Sequence, residues 1–588
     1  MNSKIKHMRM FVPLLLISSL VACQSVNSGI RVDEIKAEAR TGQTQSAEEK
    51  KENDKINNKV EGYENKLFDT SYVHTIDIEI SEEDWKDLLA NPLEKTKYKV
   101  NATIDGEKIE DISFATKGNT SLSSVAGDSE SDRYSFKLNF GKYVDGQTYY
   151  GLDKLNLNNI YADATYMKDY MSYEIFKAAG VEAPLASYVS ISINGKNFGL
   201  YLALEEVEES YLERNDLEEA ELYKPETEAL NNAGNMPKGF EDGMRPEMPK
   251  GIEALKKSAD EEEMRADAKA KETKLPEDGK PLQMPEEPKK LQDMNDLKFD
   301  PTEGGDPPKE LDGKGKGMPS FGESNKGASL CYTDDNIDSY SDIFDNAETK
   351  VTDEDKKRVI ESLKSLSEKK DLDSVVDTDS VIKYFVAHNF VLNGDSYTGN
   401  MLHNYYLVDN NGKLSMLPWD YNLAFGTFMG QGRERDNSKD NTTEIINTAI
   451  DTPLGRTNEE DRPMWAWIVS DETYLEKYHD TFNKLITNYF DSGECEKEIE
   501  RVHQMILPYV EEDPSAFYSV DEFNKGYEAL KTYCKLRVES IRKQLNGELS
   551  ASSNEQNAED FVDASSLELS DMGTQGMKDE RKKSQSEK

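Results

Sequence analysis

The feature that most constrains this chain is a break in its apolar patterning. After Leu222-Tyr223-Lys224-Pro225, the residues up to about Gly327 are dominated by Glu, Lys, Pro, Gly and Met, with almost no apolar periodicity. A structureless stretch of that length does not belong inside a compact domain, so 228–327 reads as a disordered insertion. Its Met residues lack the clustered spacing of a soft-metal site. The two flanks have different periods. Upstream the apolar residues recur every second position, and downstream they recur at helical spacing. This predicts an α+β chain with a strand-rich first half, a mostly helical second half and one interruption between them.

In the first half, Val73-His74-Thr75-Ile76-Asp77-Ile78-Glu79-Ile80 alternates and reads as a half-buried strand, with Ser81 capping a short helix after it. Strands 98–104 and 112–116 flank an Asp105-Gly106 turn, and 134–140 is a further strand. The run 166–179 is a helix stopped by Gly180, and 187–204 is a hairpin turned at Asn194-Gly195. In the second half, 356–366, 379–389, 464–469, 474–490, 495–509 and 520–545 read as helices.

The ends are polar. Lys4, Lys6 and Arg9 precede a short apolar run that closes on Leu20-Val21-Ala22-Cys23, the layout of an export signal too short to span a membrane. The four-residue ending resembles a bacterial lipobox, which makes Cys23 the expected lipidation site and membrane anchor. Residues 1–23 are thus a lipoprotein signal, 24–65 a disordered tether, 66–546 the folded domain and 547–588 a disordered tail. Cys331, Cys495 and Cys534 remain, and the last two could bridge. A net charge of −43 disfavours nucleic acid and anionic lipid as partners and suits cationic ones.

The block 393–426 carries the chemistry. Tyr405-Tyr406-Leu407-Val408 and Leu414-Ser415-Met416-Leu417 surround an Asn410-Asn411-Gly412 turn and form a hairpin, with Asp395 before it and Asp420 directly after it. Phosphoryl transfer requires that division of labour. One carboxylate orients the attacking hydroxyl, while a second carboxylate and an Asn amide hold Mg²⁺ (or Mn²⁺). Protein kinases use the same order of acid, Asn, hairpin and acid. Asn400 has the kinase spacing from Asp395, and Asn404 has the kinase position before the hairpin, so both are candidates. A cation is needed on the ATP phosphates, and Lys137 sits on a strand after the Lys117-Gly118-Asn119-Thr120-Ser121 loop, whose amides and hydroxyls can cradle phosphate. The next helix offers Asp169 or Glu174 to pair with Lys137.

These pieces resemble the spore coat protein H (CotH) kinases. The resemblance rests on Val73-His74-Thr75-Ile76-Asp77-Ile78, the 117–121 loop and Asn197-Phe198-Gly199-Leu200-Tyr201. It extends to His403-Asn404-Tyr405-Tyr406-Leu407 and Pro418-Trp419-Asp420-Tyr421-Asn422-Leu423-Ala424-Phe425-Gly426. It implies an atypical two-lobed kinase fold that uses ATP, Mg²⁺ and a protein substrate, and the lipobox at Cys23 sets that kinase in a lipoprotein facing outward. Asp395 would be the catalytic acid, Asp420 the metal ligand and Lys137 the phosphate lysine. Lys117 stands where Arg is expected in the family loop, which keeps the charge and loses the two-pronged fork. Two other classes fit the same residues: an inactive kinase-fold scaffold, and a carbohydrate-binding lipoprotein that stacks sugars on Trp419.

Overall fold

The computed structural model describes residues 62–227, 326–428, 440–454 and 457–574. The export signal with Cys23, nearly all of the expected tether and nearly all of the expected insertion lie outside the described residues.

In the first half, seven strands among the described residues close into a barrel: β1 (His74–Glu79), β2 (Tyr98–Ile104), β3 (Glu107–Lys117), β4 (Ser135–Asn139), β5 (Lys154–Asn158), β6 (Ala186–Ile193) and β7 (Lys196–Glu205). The order is β1-β2-β3-β4-β5-β7-β6, with every pairing antiparallel except β1 with β6, whose parallel register (Ile76 opposite Ile191) closes the ring. Period-two patterning drives this closure. Ile76, Ile78, Val100, Ile104, Phe114, Phe136, Leu138, Leu155, Leu157 and Val189 all turn inward into one apolar core. The two hairpin turns are as expected: Asp105-Gly106 and Asn194-Gly195 both take left-handed backbone, which suits the right-handed strand twist. Strand β5 was not expected, because only two of its five residues are apolar.

Helix α1 (Glu82–Ala90) starts at Ser81, whose hydroxyl accepts the Asp84 N–H as anticipated. The 117–121 stretch is shorter as a loop than expected: Lys117 ends β3, and α2 (Thr120–Ala126) begins after Gly118 and Asn119. Helix α3 (Lys168–Ala179) ends at Gly180 in left-handed conformation. It belongs to the core of the helical half, sharing a cluster with α4 (Thr378–Val391).

The expected catalytic hairpin is β9 (Tyr405–Asn410) with β10 (Lys413–Pro418), paired in register around Asn411-Gly412. A third strand, β8 (Glu221–Tyr223), pairs with β9, so the chain just before residue 228 is fastened to the hairpin. Helix α4 packs on β10, α5 (Pro463–Ser470) and α6 (Glu472–Leu485) pack on α4, and α7 (Glu494–Glu511) pairs with α8 (Val520–Leu545), all close to their sequence-predicted bounds. Cys331, Cys495 and Cys534 are free thiols, and Cys495 and Cys534 are buried on α7 and α8.

One expectation fails over most of its length. The stretch 547–574 is not a loose tail, because Leu549, Val562, Ala564, Leu567, Leu569 and Met572 are buried; the rest of the expected tail lies outside the described residues. These apolar residues are spaced irregularly among polar ones, so no period announces them, and they are held by short turns rather than by a long helix.

Candidate active site

A cleft of about 830 Å³ is lined by residues of the barrel on one side and of the hairpin region on the other. It gathers Lys117, Gly118, Asn119, Ser121, Lys137, Asp169, Asp395, Asn404 and Asp420, although they are separated by up to some three hundred positions in the chain.

Strand register makes the barrel wall. Lys117 lies opposite Ser135 across β3–β4, and Lys137 lies opposite Asn156 across β4–β5, so these side chains share one face. Lys137 Nζ is 3.1 Å from Glu206 and 3.2 Å from Glu208. Neither acid proposed from the sequence pairs with it. Asp169 turns instead to the hairpin side, accepting the Tyr421 N–H at 2.6 Å, and Glu174 lies outside the cleft beside Lys177. The cause is the placement of α3: it packs in the helical half, while the chain that leaves β7 carries Glu206 directly beneath Lys137. Glu206 is buried, accepts the Asn156 amide at 2.6 Å, and is held below the usual carboxylate range by Lys137, Lys117 and Lys224 despite its burial.

Lys117 donates to Asn158 at 2.9 Å and sits 5.5 Å from the Trp419 ring centre. Burial pushes its ammonium down to about 8, against the pull of Glu206 and Asp420. Lys224 covers Trp419 as well, at 5.5 Å. Trp419 is 5% exposed, so it is no open platform for stacking a sugar.

The opposite wall holds the acids. Asp395 Oδ1 meets His403 Nε2 at 3.0 Å, and the Asn404 amide donates to the Asp395 carbonyl at 2.8 Å and to its Oδ2 at 3.3 Å. Asn393 ties the two acid-bearing segments together: its Oδ1 accepts the Asp395 N–H at 3.1 Å, and its Nδ2 donates to the Asp420 carbonyl at 3.3 Å. Asp420 takes a left-handed φ of 56°, a cost for a non-glycine residue that the surrounding contacts must meet. Of the two Asn candidates, Asn404 faces the cleft. Asn400 is exposed, accepts the Thr457 hydroxyl at 3.2 Å and does not line the cleft.

Burial raises both the Asp169 and Asp420 carboxyls, and each group suffers from a neighbouring charge: Asp420 acts on Asp169, and Asp395 acts on Asp420. Crowded oxygen donors of this kind fit a hard divalent cation, which takes one or two protein carboxylates and completes its shell with water and phosphate oxygens. Among the described residues no group of three His, Cys, Asp or Glu closes on a single point, so a cage made by protein alone is not what the site offers.

The sequence profile of the family described as "CotH kinase protein" matches residues 114–295 and 308–541, more than half of the chain. The chain belongs to the CotH kinase family. The matched region contains every cleft residue named above and ends inside α8. A curated relative, "Inner spore coat protein H" of Bacillus subtilis (strain 168), is 32% identical over 81 residues, which is 14% of this chain and 22% of that protein. The aligned stretch thus spans about a fifth of the relative's length. No helix among the described residues is long and apolar enough to cross a membrane.

In this CotH-family cleft, sequence reasoning missed Glu206, Asn158, Lys224 and the role of His403. His403 adjoins Asn404 and the hairpin and could have been found by position. Glu206 carried no signal, since it stands in an acidic run, Glu205-Glu206, of which only one member reaches the cleft.

Proposed function

We propose that this protein is an atypical two-lobed kinase that moves the γ-phosphoryl group of ATP to a Ser or Thr hydroxyl of an exported or surface protein. What supports the reading is one cleft that sets lysines on the barrel wall against two acids at either end of a hairpin. In this reading Lys117 and Lys137 meet phosphate oxygens, and Glu206 with Glu208 keeps Lys137 extended toward them. Gly118, Asn119 and Ser121 add backbone and hydroxyl donors. Asp420 and Asn404 would hold Mg²⁺, with Asp169 beside them, and the bound ion neutralises charge on the phosphates. Asn404 spends its amide on Asp395 and keeps its carbonyl oxygen for that task. Asp395, oriented by His403 and Asn404, accepts the proton of the attacking hydroxyl.

The relative's name places that protein in a spore coat. Together with the signal ending at Cys23, it supports an extracytoplasmic, lipid-anchored location for this chain.

The test is incubation of the full-length chain with labelled ATP and Mg²⁺ or Mn²⁺, beside Asp395→Ala and Asp420→Ala. Transfer should fall by about 100-fold or more in each variant. Equal incorporation in all three would remove both acids from the chemistry. ATP binding without transfer by the unaltered chain would make it a scaffold.

A further inference from the structure

The residues beyond α8 lie outside the matched family region, which ends at residue 541, yet they are built into the body. Ala551 O accepts the Asp451 N–H at 2.9 Å. The Asn447 side chain grips Val562 twice, donating to its carbonyl at 2.9 Å and accepting its N–H at 3.0 Å. The Ala564 N–H donates to Thr443 Oγ1 at 3.2 Å. The segment then runs to the segment that follows Asp420.

There Lys168 is the central group. It is wholly buried, and its Nζ donates to Ala162 O at 2.9 Å, Thr427 Oγ1 at 2.9 Å and Gly573 O at 3.1 Å. An ammonium has three N–H donors, and all three are used. The next residue, Asp169, takes the Tyr421 N–H. The first turn of α3 therefore holds both ends of residues 421–427, the stretch that emerges from Asp420. Met572 O accepts the Ala164 N–H at 3.0 Å, which docks the strap's end against the residues just before that turn.

We propose that residues 549–573 are a strap that positions the Asp420 segment through Lys168, and that phosphoryl transfer depends on it. The activity arm of this proposal rests on the kinase reading above. Without the strap, a buried ammonium loses one of its three acceptors, which is costly for a desolvated charge. Lys168 then moves toward water and releases Thr427. Asp420, already in a sparsely populated backbone conformation, then begins a segment that has lost one of its two anchors on α3. Lys168 is a positioning residue in this scheme, since it touches neither nucleotide nor acceptor.

The experiment compares the full-length chain with chains ending at 574 and at 546, and with Gly573→Val in the full-length chain. Gly573 has φ of 82°, and a Cβ there would sit 2.6 Å from Ala164 N and 2.8 Å from Ala162 O. The substitution therefore dislodges the strap's end while the Asn447 anchor stays. Three quantities are read: kcat, KM for ATP, and hydrogen exchange at the Tyr421 and Ala424 amides.

The chain ending at 574 should match the full-length protein. The chain ending at 546 and Gly573→Val should lose about 100-fold in kcat, the scale of a small misplacement of a reacting group. Their KM for ATP should stay within about threefold, because ground-state binding is kept. The two amides should exchange faster, and a synthetic peptide of residues 547–574 should restore activity to the shorter chain. If that chain does not fold, Gly573→Val decides alone. A folded Gly573→Val protein with unchanged kcat and unchanged exchange overturns the proposal. If the full-length chain transfers no phosphate, the kinase reading fails, and the exchange measurement still decides the strap.

Discussion

His388 shows how much a single side chain can join. Its Nδ1 lies 2.8 Å from Tyr421 Oη and its Nε2 2.6 Å from Thr398 Oγ1, so one imidazole links the residue after Asp420 to the turn that follows Asp395. Burial alone pushes it down to about 3, and it is neutral in the fold. In the unfolded chain the same ring titrates near about 6.5. The unfolded state therefore binds the extra proton between those values. The stability this group contributes is complete above pH of about 6.5 and is lost as pH falls, at about 1.4 kcal/mol per unit. At pH 5 the loss should be about 2 kcal/mol. Urea midpoints measured from pH 5 to pH 7 should fall with acidity in the unaltered protein. His388→Gln should be flatter over that range; equal slopes would refute the neutral, buried assignment. The sequence showed this His only as one of six scattered ones, because its partners lie across folded contacts. Asp395, Asp420, Lys117 and Lys137 were readable as cleft residues for the opposite reason: the roles proposed for them follow from order along the chain around a recognisable hairpin.

At the scale of elements, the barrel is clasped to the helical half by one buried ion pair. Arg133, 1% exposed, donates to both Asp513 oxygens at 3.0 and 2.8 Å and to Ser515 at 2.7 Å, while its Nε meets Asn159 O. Asp513 also accepts the Leu200 N–H of β7 at 2.9 Å, so the turn between α7 and α8 is pinned to the barrel edge. Breaking such a pair from one side leaves a buried charge without compensation. Asp513→Leu should cost about 3–5 kcal/mol, whereas the double variant Arg133→Met/Asp513→Leu should recover most of it. Chemical denaturation of both variants checks this, and a double variant no better than the single one would make the clasp a matter of packing alone. Elements with a clean period, such as β1, the β6–β7 hairpin and the carboxy-terminal helices, were readable from sequence. Strand β5, the serine-rich α2 and the strap were not. Their local residues favour loops, and tertiary packing decides them.

For the whole molecule, the chain's charge and its amino terminus make opposing statements about membranes. A protein of net charge −43 is repelled by anionic lipid, so electrostatic attraction cannot hold it at a bacterial surface. Among the described residues no helix can span a bilayer. Attachment would then rest on Cys23, which lies outside the described residues, and on the acyl chains added there. Each buried methylene contributes about 0.8 kcal/mol, and two or more chains give stable anchoring where one does not. In cells of the source organism, the unaltered protein should therefore remain with membranes through a high-salt wash and leave only in detergent, since salt weakens charge contacts and strengthens apolar ones. Cys23→Ser should release it into the soluble fraction at any salt concentration, while purified Cys23→Ser keeps full transfer activity because the tether lies far in sequence from the cleft. Retention of Cys23→Ser on membranes at high salt would show that another segment anchors the chain. Loss of its activity after purification would show that the amino terminus takes part in the site.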